Sequence, residues 1–365
     1  MSKTDSIISI EDLKVELGGV SILDIPSFFV AEREFLSIIG PNGSGKSTLL
    51  LALSCLLKRT AGRLVFRGDA VVTREEVFRF RRRVSMVFQE PLLFDTTVYK
   101  NVASGLKIRG MPRDEIRERV MRYLKCFNIE HLAQRSARKL SGGEAQRASL
   151  ARAFAIEPEV IFLDEPFSAL DPPTRHALTD DLDKIVRETG ITTVMVTHDQ
   201  SEALRMSDRI AVMYDGKVVQ TGTPSFVMNN PVNEFVANFV GMETILEGQV
   251  TNNVNGFLTV SVSGREIDAV GLLSPGDCVY CCIRPENVTI DIADPDDLTS
   301  ARNVFHAKIL DISSLGPFLK LSLDCGFPLT SYVTREAYAV LELEEGKDVF
   351  ASFKATAVHL IKYGK

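Results

Sequence analysis

The sequence predicts an α/β domain with an open, mostly parallel sheet followed by a smaller all-β domain, with a boundary near residue 240. Three observations predict it. The stretch Gly40-Pro41-Asn42-Gly43-Ser44-Gly45-Lys46-Ser47-Thr48 matches G-x-x-x-x-G-K-[ST] and lies between the apolar run Phe35–Ile39 and the helix-forming run Thr48–Leu53. Downstream, apolar strands alternate with helical stretches, and acids stand at the carboxyl end of the run Val160-Ile161-Phe162-Leu163-Asp164-Glu165. After Thr244 the chain turns β-rich, broken by Asn255-Gly256, Ser263-Gly264 and Pro275-Gly276-Asp277.

The chain of 365 residues is too long for one ordinary core, so two or three domains are expected. It is 45% hydrophobic and 25% charged, as globular chains are. A net charge of −6 argues against a nucleic-acid binder with a global basic field. No apolar run reaches the roughly 18–20 residues of a membrane span. Met1–Asp5 opens no signal peptide, because Glu11, Asp12, Lys14 and Glu16 soon follow. A soluble, cytosolic protein is the expectation, and six scattered cysteines fit a reducing compartment.

Residues 7–30 read as an antiparallel edge, with a turn at Gly18-Gly19. Gly62–Asp69 reads as a strand with a turn, and Val84–Phe88 as another strand, which Pro91 forbids from continuing. From Thr97 to about Phe154 the pattern is helical. Within it Pro112 stands at a first helical position, and Ile116, Val120 and Leu124 share a face. Ser141 is placed as an N-cap. The run from Val160 reads as a buried parallel strand, His176–Glu188 as a helix, and Thr192–Thr197 as a strand ending at His198-Asp199. Asp215-Gly216 joins Ile210–Met213 to Lys217–Gln220 as a hairpin. Pro231 to Gly241 reads as a helix-like connector.

The second domain contains a repeat. Gly276–Ile290 overlays Gly346–Leu360 without a gap, and Leu246–Val250 and Phe305–Ile309 open the two units. Two related small β-barrels are predicted, about 244–292 and 299–363, each too small to be very stable alone. Cys278-Val279-Tyr280-Cys281 is formally C-x-x-C, but Cys281 and Cys282 overlay Ala351 and Ser352, which favours small-residue packing over a metal site.

The chemistry begins at the glycine-rich loop, whose amides and following helix start face phosphates. Lys46 would bridge the β- and γ-phosphates and Ser47 would ligate Mg²⁺. Asp164 suits Mg²⁺, and Glu165 suits a general base for an attacking water. Gln89 and His198 suit orienting that water. Alone, each has a bland reading as a turn or capping residue; their order and shared placement after strands lift them.

With those residues in view, residues 7 to about 240 resemble the nucleotide-binding subunit of an ATP-binding cassette (ABC) transporter. The matches are the phosphate loop Gly40–Thr48, Gln89, the signature Leu140-Ser141-Gly142-Gly143-Glu144-Ala145-Gln146-Arg147, Val160–Glu165, the D-loop Ser168-Ala169-Leu170-Asp171, and the switch histidine His198. The resemblance implies an α/β P-loop NTPase fold with antiparallel β and helical subdomains. It also implies ATP and Mg²⁺ as ligands, with metal contacts from Ser47, Gln89 and Asp164. Further implications are a head-to-tail homodimer in which Ser141, Gly142, Gly143 and Glu144 close on the partner's ATP, and membrane permeases driven through the region around Gln89 to Leu106. An extracytoplasmic solute-binding protein and a peripheral place on the cytoplasmic face of the membrane belong to the same expectation. Near position 17 this family usually stacks an aromatic on adenine; Leu17 offers apolar contact only. Glu144 in place of Gln is a common variation.

The tail resembles the OB-like TOBE domain of ABC importers, its second unit most closely the molybdate/tungstate-binding version, through Thr299–Phe305 and Phe353–Ile361. A tetrahedral dianion wants hydroxyls, amides and one or two cations with no carboxylate nearby. Ser300, Arg302, Lys354 and Thr356 supply that set. The leading expectation is an ATPase energising import of tungstate or molybdate, with feedback at the tail. Rivals are an importer ATPase for a sugar, polyamine, iron or sulfate, a soluble non-transport ABC ATPase, and an oxyanion sensor with vestigial catalysis.

Overall fold

The computed structural model describes residues 6–294 and 300–364. It forms two compact units, one up to Ser225 and one from Phe226 onward. The connector read as Pro231 to Gly241 therefore goes with the second unit.

The first unit runs β1 (Ser6–Leu17), β2 (Val20–Ala31), β3 (Phe35–Ile39), α1 (Lys46–Leu53), β4 (Ala61–Phe66), β5 (Asp69–Ala70), α2 (Arg74–Arg83) and β6 (Val84–Val87). It continues with α3 (Val98–Ile108), α4 (Arg113–Cys126), α5 (Gly142–Ala155), β7 (Val160–Asp164), α6 (Pro172–Thr189), β8 (Thr192–Val196), α7 (Gln200–Met206), β9 (Arg209–Tyr214) and β10 (Lys217–Gly222). The helix α8 (Pro224–Asn229) spans the boundary.

A six-stranded sheet, β10-β9-β3-β8-β7-β6, is parallel except for its edge hairpin β9/β10. Every residue of β3 and β8 is buried, because layers cover both faces and water reaches neither. Alternation sorts the strand side chains between two cores: Ile161 and Leu163 join the helices α3 to α6, while Val160 and Phe162 join α1 and the antiparallel sheet β2-β1-β4-β5.

The helical stretch from Thr97 to about Phe154 holds three α-helices, with 3-10 turns between α4 and α5. Gly110 and Asn128 adopt left-handed φ of 74° and 58°, which ends α3 and α4. Pro112 is the N-cap of α4, one position before the helical place predicted for it, while Ile116, Val120 and Leu124 are buried together as read. The β9/β10 turn has φ of 46° at Asp215 and 71° at Gly216, which suits a tight hairpin of the predicted kind. Among the described residues no helix is long and apolar enough to cross a membrane, a statement that leaves β-barrels aside.

The second unit runs α9 (Glu234–Phe239), β11 (Thr244–Val254), β12 (Phe257–Val262), β13 (Arg265–Val270), β14 (Cys278–Ile283) and β15 (Thr289–Asp291). The described chain resumes with β16 (Asn303–Leu315), β17 (Phe318–Asp324), β18 (Pro328–Thr334), α10 (Arg335–Val340), β19 (Asp348–Phe353) and β20 (Val358–Lys362). The overlaid strands β14 and β19 bury the same positions, and each precedes a short 3-10 turn, Pro285–Asn287 or Ala355–Ala357.

The halves are not two self-contained barrels. Their sheets are β13-β12-β11-β14-β20 and β15-β19-β16-β17-β18, so each half's last strand completes the other half's sheet. One apolar core serves both halves. The exchange follows from size: neither half alone encloses enough apolar surface. Cys281 and Cys282 are buried in this unit, and burial pushes both thiols up to about 12, so they act as packing groups.

Candidate nucleotide site

The loop Gly40–Gly45 turns between β3 and α1 in a shape that requires glycine at two places. A Cβ on Gly40 would lie 2.2 Å from the Met213 carbonyl oxygen, and Gly45, at φ 94°, would bring one 2.8 Å from Leu23 Cδ2. Lys46 is 6% exposed, and its Nζ donates to the Gly40 and Pro41 carbonyls, both at 2.9 Å. Burial pushes its pKa down against the opposing pull of Glu165 and Asp164. Its donors rest on neutral carbonyls, which a phosphate oxygen outcompetes. Among the described residues, Ser44 Oγ is buried in the same loop without a hydrogen-bond partner.

Ser47 Oγ donates to Asp164 Oδ1 at 2.8 Å, joining the first turn of α1 to the end of β7. Burial pushes the Asp164 carboxyl up; the Ser47 bond and Lys46 oppose this, while Glu165 adds to it. A cation at the Ser47–Asp164 pair would relieve the like-charge crowding of the two acids. Glu165 holds a left-handed φ of 45°, its N–H donating to Val196 O at 2.9 Å. Ser168 Oγ donates to the Glu165 carbonyl at 3.1 Å. His198 Nδ1 lies 3.2 Å from Glu165 Oε2. Lys46, Ser47, Asp164, Glu165 and His198 thus gather at the carboxyl ends of β3, β7 and β8, where an open α/β sheet offers its crevice.

Other predicted residues lie apart from this cluster's hydrogen bonds. Gln89 is exposed beyond β6, and Leu17 is 48% exposed at the end of β1. Ser141 caps α5, accepting from Glu144 N–H at 3.3 Å, while Glu144 Oε2 accepts from Ser141 N–H at 2.7 Å. This reciprocal capping box gives Glu144 a structural task that the sequence reading missed, although S-x-x-E ahead of a helix is its signature. The bond from Ser141's backbone holds the Glu144 carboxyl below the usual range, with burial opposing. Asp171 caps α6 through Thr174 N–H at 3.2 Å.

In the second unit Ser300, Arg302, Lys354 and Thr356 are all exposed; Thr299 lies outside the described residues. Asn303 pairs with Phe353, so Arg302 and Lys354 flank one paired position. The expectation of no nearby carboxylate is not met: Asp268 Oδ2 stands 3.8 Å from Arg302 Nη1, and the guanidinium lies 5.2 Å from the Phe257 ring centroid. The reason is strand exchange. Asn303, buried between the halves, accepts from Asp268 N–H at 2.7 Å and donates to its carbonyl at 2.9 Å. The repeat's other half holds Thr244 in the matching place, accepting from Thr330 N–H at 3.0 Å. There Glu243 stands where the first site has Arg302. It pairs with Lys320 at 2.6 Å and accepts from the Tyr332 hydroxyl at 2.7 Å. Burial pushes Glu243 up, and these two bonds outweigh it and bring the carboxyl down.

A glycine-rich phosphate loop on a mostly parallel sheet, with paired acids at a strand end, defines a P-loop nucleotide hydrolase. Residues 23–168 match the family model described as ABC transporter, and residues 299–360 match the TOBE domain. The chain is 36% identical over 360 residues to the molybdate/tungstate import ATP-binding protein WtpC of Pyrococcus abyssi, covering 96% of this chain and 99% of that protein. It is 38% identical over 288 residues to the spermidine/putrescine import ATP-binding protein PotA of Clostridium novyi, covering 78% of this chain and 81% of that one. Among solved structures, cbiO1 from Clostridium perfringens, part of the ABC transporter complex cbiONQ, aligns with a TM-score of 0.58 and 32% identity, covering 66% of this chain and 96% of its own. The dimeric ABC cassette MJ0796 bound to ADP and Pi aligns at 0.54 and 32% identity, covering 60% and 98%. The chain belongs to the ABC transporter family as an ATP-hydrolysing subunit that carries a TOBE domain.

Proposed function

We propose that this chain energises import of tungstate or molybdate through a membrane permease, working as a homodimer on the cytoplasmic face. The observation that carries the substrate is the likeness to WtpC, which runs through both units and spans 99% of that protein. The PotA likeness, at 38% identity over 288 residues, favours a second reading, a polyamine importer with the same ATPase. A solute-binding protein outside the membrane would deliver either cargo.

In the ATP site, Gly40, Pro41, Asn42, Gly43, Ser44, Gly45, Lys46, Ser47 and Thr48 hold the phosphates, with Leu17 against the base. Ser47 and Asp164 would hold Mg²⁺, with Gln89 as a further contact, and the ion would supply charge neutralisation on the phosphate oxygens. Glu165 accepts a proton from the attacking water, and His198, within hydrogen-bond reach of Glu165, keeps that carboxylate oriented. Ser141, Gly142, Gly143 and Glu144 face the partner subunit's nucleotide across a head-to-tail dimer, with Asp171 beside the junction. ATP that bridges both faces favours the closed dimer, and hydrolysis removes that bias.

The anion role of Ser300, Arg302, Lys354 and Thr356 is feedback: cytosolic oxyanion bound there biases the dimer against transport. Only one of the two repeat-related positions suits an anion, because Glu243 already supplies a carboxylate to Lys320 and Tyr332 at the other. Calorimetric titration of the full chain with molybdate, tungstate, sulfate and spermidine tests the reading. Heat with the first two supports it; heat with spermidine alone transfers the proposal to the polyamine reading.

A further inference from the structure

The first turn of α6 touches both functional ends of the first unit. On one side it meets the signature helix. Gly143 sits so close that a Cβ there would lie 2.7 Å from Thr174 Cγ2, and Thr174 is β-branched and cannot easily turn away. Further along, Arg147 of α5 pairs with Asp181 of α6 and donates to Phe127 O at 3.0 Å. These two ties, one turn or more apart, hold α5 against α6.

On the other side the same turn meets the switch loop. Arg175 Nη2 donates to the Leu170 carbonyl at 3.2 Å, and Arg175 Nη1 donates to Asp199 Oδ2 at 3.4 Å. Asp199 follows His198 directly and caps α7, accepting from Ser201 N–H at 2.8 Å and Glu202 N–H at 3.3 Å. Thr197, on the other side of His198, is held by Glu202 at 2.6 Å. The histidine is therefore flanked by two anchored residues, and one of the anchors is Arg175.

Both Arg175 bonds are longer than the roughly 2.7–2.9 Å of a tight charge-assisted contact. Among the described residues Arg175 Nε is buried with no partner. The guanidinium thus has spare donor capacity, and its two Nη groups hold the two acceptors separately, so one group spans Leu170 and Asp199.

We propose that Arg175 is a positioning residue that links the signature end of α5 to His198, through the first turn of α6 and Asp199. Engagement of Ser141–Gly143 by a partner nucleotide shifts α5 and α6 together, and Arg175 carries that shift to the loop bearing His198. One half-site thereby reports its occupancy to the hydrolytic end of the other. The inference rests on the proposed roles of His198 and of the signature loop.

The test is steady-state ATPase kinetics on the full chain. Arg175→Ala is expected to lower kcat about tenfold while KM for ATP stays within about twofold, the split of a group that acts after binding. Arg175→Lys should recover only part of the loss, since an ammonium lacks the fork that reaches both acceptors. Asp199→Asn added to Arg175→Ala should cost less than the two single losses combined, because both remove one link. Wild-type kcat in Arg175→Ala, or additive losses in the double variant, overturns the proposal. If circular dichroism shows Arg175→Ala unfolded, Arg175→Lys decides: full wild-type turnover overturns it and a lowered kcat at unchanged KM supports it. Glu165→Gln and His198→Ala, assayed alongside, separate the failures. Lost turnover in those two with a normal Arg175→Ala sinks only this link, whereas normal turnover in them sinks the site reading.

Discussion

Ser47 Oγ donates to Asp164 Oδ1 at 2.8 Å, so a helix start and a strand end 117 residues apart in sequence share one hydrogen bond. The bond closes the phosphate loop over the paired acids. It also places a hydroxyl and a carboxylate where one divalent cation can take both.

That pairing makes metal dependence measurable. Asp164→Asn keeps the hydrogen-bond acceptor and removes the charge. It is expected to raise the Mg²⁺ concentration for half-maximal ATPase activity at least about tenfold, as loss of a charged ligand does. Unchanged Mg²⁺ dependence would remove Asp164 from the proposed metal site.

Glu165→Gln preserves shape and removes the proposed base. Turnover is expected to fall by about 10²–10⁴, the usual worth of general base catalysis, while ATP binding persists. Size-exclusion chromatography with ATP should then show a trapped dimer. A monomer that hydrolyses ATP at the wild-type rate would refute the shared-site mechanism.

Glu144 stabilises the start of α5 through its capping box, and its carboxyl is held below the ordinary range by Ser141's backbone. A lowered folded-state pKa contributes stability above the unfolded value and loses it as pH falls through the folded one. Glu144→Ala should therefore cost about 1 kcal/mol at pH 7 and progressively less as the solution is acidified below the ordinary carboxylate pKa. Urea melts at pH 7 and in acid measure the difference; an equal cost at both would contradict the electrostatic part of the argument.

The exchanged strands predict a shared fate for the two tail halves. A chain ending at Ala357 lacks β20 and leaves β14 without one neighbour. Both halves should then lose their melting transition together, because one core serves both. Circular dichroism melts would show it, and hydrogen exchange that stayed protected in β16–β18 alone would count against a shared core.

At the proposed anion site, Asp268 opposes any anion drawn to Arg302. Asp268→Asn should tighten tungstate binding about two- to fivefold, the worth of an exposed charge contact, and Arg302→Ala should weaken it. Calorimetry reads both, and tighter binding in Arg302→Ala would exclude that guanidinium.

Much of the first unit was legible in the residues themselves. The glycine-rich loop, the apolar runs at Phe35 and Val160, and the acids after them carry local signals, because buried strands and phosphate loops tolerate few side chains. The Asp215-Gly216 hairpin and the Ser141 cap are equally local, being set by φ preference and a side chain's reach. The tail repeat was visible as matching valines, aromatics and apolar alternation in two segments, Gly276–Ile290 and Gly346–Leu360.

Tertiary structure decided whatever depends on partners distant in sequence. It showed that β15 and β20 trade places, since strand pairing is a non-local choice that identical local patterns leave open. It put Asp268 beside Arg302 and gave Glu243 the matching position in the other half. It turned Arg175, one cation among many in the sequence, into a bridge between Leu170 and Asp199. The phosphate loop can be read from composition and spacing because its chemistry lies within nine residues. The links that would make it answer to a second nucleotide lie between helices, and only packing brings those together.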